Sequence, residues 1–193
     1  MRRSFMAVSN SLIISVCVAA VATASVPSLV HAQSWSFGVR GEFMALGGDQ
    51  FATLSGGYGG SGFIRRQVGD LGGVELGKRI TRHRLSLVCF TDDCIRYVHR
   101  TLTEGYVRPV IQPTLPGTSI RPYVGLEVGV MTGEFQDASP GLSVGGAGGF
   151  AIPFSRRLAM EVGLTGTMIY VGTDLPRSAW GRRFNLQLGL TVR

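Results

Sequence analysis

Residues 119–135 read SIRPYVGLEVGVMTGEF, and their alternation decides the fold. Ile120, Pro122, Val124, Leu126, Val128 and Val130 share one side of an extended chain. Arg121, Tyr123, Gly125, Glu127, Gly129 and Met131 share the other. A period of two over this length predicts a β-strand with two unlike faces. Such a strand suits either a soluble sheet or a membrane barrel, and the remaining sequence must choose between them.

The same alternation recurs in seven further segments. WSFGVRGEFMA (35–45) sets Trp35, Phe37, Val39 and Phe43 against Arg40 and Glu42. LGGVELGKRI (71–80) sets Val74, Leu76 and Ile80 against Glu75 and Arg79, and RLSLVCF (84–90) sets Leu85 and Leu87 against Arg84 and Ser86. EGYVRPVIQ (104–112) opposes Val107 and Ile111 to Glu104, Tyr106, Arg108 and Gln112. LSVGGAGGFAI (142–152) opposes Leu142, Val144, Phe150 and Ile152 to small residues. RLAMEVGLTGTMIY (157–170) opposes Leu158, Met160, Val162, Leu164 and Tyr170 to Arg157 and Glu161. RFNLQLGLTVR (183–193) closes the series with Phe184, Leu186, Leu188, Leu190 and Val192 on one face. A helical reading fails on this spacing and on 28 glycines, which are costly inside helices.

Connections TRH (81–83), PTLPGTS (113–119) and PFSR (153–156) read as short turns, whereas 46–70, 91–103, 133–141 and 171–182 read as long loops. Short turns at one end and long loops at the other predict an all-β, closed, antiparallel up-and-down transmembrane barrel of about eight strands. A disulfide-closed hairpin at Cys89 and Cys94 would lengthen the fourth strand toward Ile95 and force a bulge below it.

The charges orient the two faces. Arg40, Glu42, Glu75, Arg79, Glu104, Arg108, Arg121, Glu127 and Glu161 all fall opposite the apolar rows and mix both signs without a lysine. A closed interior favours such Arg–Glu sets, because a buried charge needs a partner and Arg grips a carboxylate through two hydrogen bonds. These nine are therefore the expected lumen network. The apolar row, represented by Trp35, Phe37, Val39, Val124, Leu126, Val128, Leu164, Leu186, Leu188 and Leu190, is expected to face lipid. Lys78 is the exception, expected to snorkel from beside the TRH turn. Trp35, Tyr123, Tyr170 and Phe184 are expected in interfacial girdles.

The first 32 residues predict export. Arg2 and Arg3 precede the apolar run SLIISVCVAAVA, and Val30 and Ala32 form a small-residue cleavage pattern. Residues 1–32 are read as a signal peptide and 33–193 as one barrel domain. Removing the former leaves 17 of the 19 Lys and Arg against 12 Asp and Glu. This basic excess is scattered and nearly all Arg, with no nucleic-acid motif, so nucleic acid is not an expected partner. Arg at lipid headgroups is the better account. In an exported chain Cys89 and Cys94 of CFTDDC read as a disulfide, the alternative being two free thiols.

Enzymatic readings find little purchase. His99, Asp92, Asp93 and Ser139 lie in loop regions without a motif joining them, and Asp92 with Asp93 makes a thin calcium site. The run GGAGG opens no helix and is not a phosphate loop. No catalytic residue, metal or cofactor is expected.

Across Gln33–Arg193 the chain resembles the small eight-stranded, OmpA-type outer-membrane β-barrel proteins, through SIRPYVGLEVGV, GGFAIPFSRRLAMEVGL and FNLQLGLTVR. The resemblance implies location in a bacterial outer membrane and contact with its lipids and lipopolysaccharide. It also implies recognition of the last strand by the barrel-insertion machinery, although QLGLTVR ends in Arg193 where an aromatic is usual. A monomer without a peptidoglycan-binding domain is expected, structural or surface-interacting in type, with four external loops. The alternatives are a narrow channel for small solutes and a soluble exported ligand-binding barrel.

Overall fold

The computed structural model describes residues 34–48, 54–69, 71–88, 95–133, 140–171 and 179–193. Eight strands occupy most of them: β1 (Trp35–Gly47), β2 (Leu54–Val68), β3 (Gly72–Val88), β4 (Ile95–Ile111), β5 (Arg121–Gly133), β6 (Gly141–Pro153), β7 (Leu158–Val171) and β8 (Ala179–Val192). Every strand runs antiparallel to its sequence neighbours, and β8 pairs with β1 to close the barrel. Closure removes the two edges an open sheet would expose.

The stagger of this closure follows from the pairing. Starting at Met44, successive partners are Asn185, Thr165, Ala147, Gly125, Val110, Gly73 and Gln67, whose amide donates to the Ser34 carbonyl. One circuit thus returns to the first strand's edge ten residues before Met44. Such a stagger tilts eight strands by roughly 40° and leaves an interior that side chains can fill. Pro109 has no N–H to donate, and the β4–β5 ladder passes from Val107 to Val110 without an intervening pair. Short turns join β2–β3, β4–β5 and β6–β7 at the end holding Trp35 and Val192. Gly117 supplies the left-handed turn residue of the second, at φ 77°.

The strand count is as expected, but its composition is not. Residues 54–68, expected inside a long loop, form β2, and β3 (Gly72–Val88) runs unbroken through the expected turn at 81–83. The two departures offset each other. Thr81 and His83 of the expected TRH turn are buried inside the barrel, each paired across to β4. Lys78 consequently lies mid-strand rather than beside a turn. Of the expected loop 91–103, the part from Ile95 onward belongs to β4. Its ladder with β3 runs without a register shift from Gly72↔Ile111 to Val88↔Ile95. The expected bulge is absent because β3 lengthens in step with β4. Cys89 and Cys94, like residues 1–32, lie outside the described residues.

Candidate functional site

Alternation turns every second side chain of each strand inward, and in this barrel those side chains are largely charged. Arg40, Glu42, Arg65, Glu75, Arg79, Glu104, Arg108, Glu127, Glu161 and Arg183 are all buried, five arginines against five glutamates. They assemble into two linked clusters. In the first, Arg40 grips Glu75 through both terminal nitrogens at 2.6 and 2.8 Å and donates to Glu161 at 2.7 Å. Arg65 donates to the same two carboxylates at 2.7 and 2.9 Å. The Tyr106 hydroxyl donates to Glu75 at 3.1 Å and Thr191 to Glu161 at 2.8 Å, so little acceptor capacity is left over.

The second cluster sits nearer the long loops. Arg79 reaches Glu42 through Nε at 2.6 Å, pairs with Glu127 at 3.1 Å and also contacts Glu104. Arg183 takes both oxygens of Glu104 at 2.6 and 2.9 Å and reaches Glu127 at 3.1 Å. Ser61 and the Asn185 amide donate to Glu42 at 2.5 and 3.0 Å, and Ser143 donates to Glu104. Arg108 links the clusters, pairing with Glu127 on one side and standing 3.3 Å from Glu75 on the other. Equal numbers of opposite charges with saturated oxygens answer the desolvation problem of a closed interior.

Rings and glycines complete the packing. The Arg40 guanidinium stacks 3.7 Å from the centre of the Phe63 ring, while Arg79 and Arg108 approach the Tyr106 ring at 4.9 and 5.1 Å. Each large inward ring occupies space that a neighbouring inward glycine leaves free. Phe63 covers Gly38, His83 covers Gly57, Tyr106 covers Gly77 and the Tyr123 hydroxyl sits over Gly163. Toward the long loops, Met44, Leu102, Met131 and Ile169 are buried above the ionic clusters as an apolar cap. At the opposite mouth a cavity of about 20 Å³ lies among Ser36, Arg65, Gln67, Val110, Gln112 and Arg193, little more than one water's worth.

Eight of the nine residues expected in the lumen network are in it. Arg121 is not: it opens β5 at the short-turn end, is half-buried and makes no ion pair among the described residues. Arg65 and Arg183 were not anticipated. Tyr123, expected at a rim, is buried in the lumen at 1 % exposure. Trp35, Tyr170 and Phe184 do face outward, and Trp180 joins them, its ring 5.1 Å from that of Tyr170. The ten residues of the expected lipid row all lie on the exposed outer face. Among the described residues, no group of three His, Cys, Asp or Glu is placed to hold a metal ion.

Comparison with solved structures identifies the same architecture. The chain is similar to Neisserial surface protein A, at 13% identity and TM-score 0.56 over 84% of this chain and 99% of that one. It is likewise similar to the outer membrane protein OprG from Pseudomonas aeruginosa, at 13% identity and TM-score 0.56 over 83% and 96%. The outer membrane protein AlkL, solved in lipid bilayers, matches at 12% identity and TM-score 0.55 over 87% and 94%. At these identities the likeness is one of fold, that of small outer-membrane barrels. No family model matches the sequence, and a search of curated protein sequences finds no match.

Proposed function

We propose that this chain is an integral bacterial outer-membrane protein of structural or surface-interaction type, exported by a signal peptide ending at Ala32. The barrel anchors it in lipid and carries four connections on the outer side. One observation carries this reading: on adjacent positions of β5, Leu126 is 69 % exposed while Glu127 is 0 % exposed. That inversion repeats around the barrel and is stable only where the outer solvent is hydrocarbon. The fold shared with outer-membrane barrels supports the same location.

An anchoring role rather than transport is favoured by the interior, where ion pairs and the apolar cap occupy the cross-section. The role proposed is non-enzymatic, in keeping with the surface and outer-membrane proteins whose fold the chain shares. The test is fractionation of cells making the full chain, followed by gels of boiled and unboiled samples. The protein should stay with the outer membrane until detergent is added, begin at Gln33, and migrate differently after boiling. Release into the soluble fraction without detergent would overturn the reading.

A further inference from the structure

At the short-turn mouth the barrel ends in cations that its own glutamates do not answer. Arg121 and Arg193 share the inward parity of Arg65 but lie beyond the ionic clusters. Arg65 is matched, by Glu75 and Glu161, and is not counted as free charge. Arg121 and Arg193 make no ion pair among the described residues. Partial burial, then the cations of Arg121 and Arg65, hold the Arg193 guanidinium below its ordinary range. An anion brought to this end would relieve that repulsion.

The same mouth holds the cavity of about 20 Å³, and its polar wall is built mainly of donors. Arg193 and Arg65 line it together with Ser36, Gln67 and Gln112, and no Asp or Glu does. Gln112 brings a buried Nε2 that has no hydrogen-bond partner among the described residues. A buried donor left unmade is costly, so this amide wants an acceptor. The wall is also fixed in place. The Gln112 amide donates to the Leu71 carbonyl at 2.7 Å, the Gln67 amide to Ser34 at 3.1 Å and the Arg193 amide to Arg157 at 2.9 Å. Backbone bonds thus hold the ends of three strands around the cavity before any ligand arrives, which lowers the ordering cost of binding.

We propose that this mouth binds one carboxylate group, gripped by the Arg193 guanidinium and completed by the Gln112 side-chain amide. Size selects the carboxylate among anions. Its flat head offers two acceptor oxygens to a planar fork of donors, whereas the four oxygens of a phosphate exceed so small a space. The cavity opens at the mouth, so only the head of the ligand need enter, and Arg121 adds attraction from across the opening. A small organic acid and the end of a peptide present the same group. The inference requires the barrel and not its location.

The test is a ligand-observed NMR titration of the full processed chain, refolded in an uncharged detergent, with acetate and N-acetylalanine as probes. Both should bind saturably, and N-acetylalaninamide, which lacks the charge, at least tenfold more weakly than N-acetylalanine. Equal affinity for the two acids assigns the site to free small acids, and at least fivefold tighter binding of N-acetylalanine assigns it to peptide ends. Inorganic phosphate should bind at least threefold more weakly than acetate. Arg193→Gln should weaken acetate binding at least fivefold and Gln112→Leu at least threefold. Arg156→Gln, which removes an exposed arginine from the neighbouring β6–β7 turn, should leave it unchanged. Should Arg193→Gln lose its heat-dependent mobility, Gln112→Leu alone carries the test. Equal binding of acid and amide, phosphate bound more tightly than acetate, full binding by Gln112→Leu, or an equal loss in Arg156→Gln would each overturn the proposal.

Discussion

Replacing Glu75 with Gln tests whether the ionic interior holds the barrel together. The substitution keeps side-chain shape and removes one charge. In the parent, Glu75 accepts from Arg40 at 2.6 and 2.8 Å, from Arg65 at 2.7 Å and from Tyr106 at 3.1 Å, and it stands 3.3 Å from Arg108. Without its charge, Arg40 and Arg65 must share Glu161, and Arg108 keeps only Glu127 on its other side. Breaking a buried ion pair from one side typically costs about 3–5 kcal/mol, because the stranded cation keeps its desolvation penalty. Glu75→Gln should lose stability in that range. In an Arg40→Met background the same change should cost about 2 kcal/mol less, the two residues being directly coupled. Equilibrium urea unfolding in lipid vesicles reads this out through Trp35 and Trp180, both on the outer face. A loss below about 1 kcal/mol for Glu75→Gln, or strict additivity with Arg40→Met, would refute the network account.

Three further predictions address the outer face, the packing and the cysteines. Leu126→Arg places a cation at mid-depth on the outer wall and should cost about 2–4 kcal/mol in vesicles, whereas Ile120→Arg, beside the short-turn rim, should cost less than about 1. A harmless Leu126→Arg would invert the face assignment. Gly59→Ala should destabilise by about 1–3 kcal/mol, since its new methyl would run into the Ile80 carbonyl. Gly62→Ala, in open space three residues on and on the opposite face, should be nearly neutral, and equal effects would contradict the register. Cys89 and Cys94 should resist alkylation in unreduced protein, and their replacement by Ser should loosen the loop at a cost of about 2 kcal/mol without abolishing the barrel. Rapid modification of both would disprove the disulfide.

Where the sequence was legible, strict alternation of branched apolar and charged residues made it so. In VGLEVGV of β5 each position's face follows from parity alone. The same rule applied to Tyr123, which shares parity with Glu127, places that ring inside. Treating it as a girdle residue let residue type override position. Strand β2 was not legible because LSGGYGGSGF has glycine on both faces, leaving no apolar period. Glycine is used there because the neighbouring wall intrudes: the His83 ring fills the space above Gly57, and the β3 backbone closes on Gly59. Arg65 was hidden by the same stretch. Arg183 was readable from its offset to Phe184, yet Arg182 beside it points outward, so adjacent arginines carry opposite fates that only parity separates. Arg121 has inward parity but lies one step from the turn, beyond reach of the glutamates. Height along the strand, not face, excluded it.

The central claim is an anchor with an interior filled by ion pairs and capped by Met44, Leu102, Met131 and Ile169. Recording current across a planar bilayer containing the purified, heat-modifiable barrel tests it most directly. The account predicts a baseline indistinguishable from protein-free lipid in molar salt. Persistent, ohmic conductance steps that scale with the number of inserted barrels would contradict it.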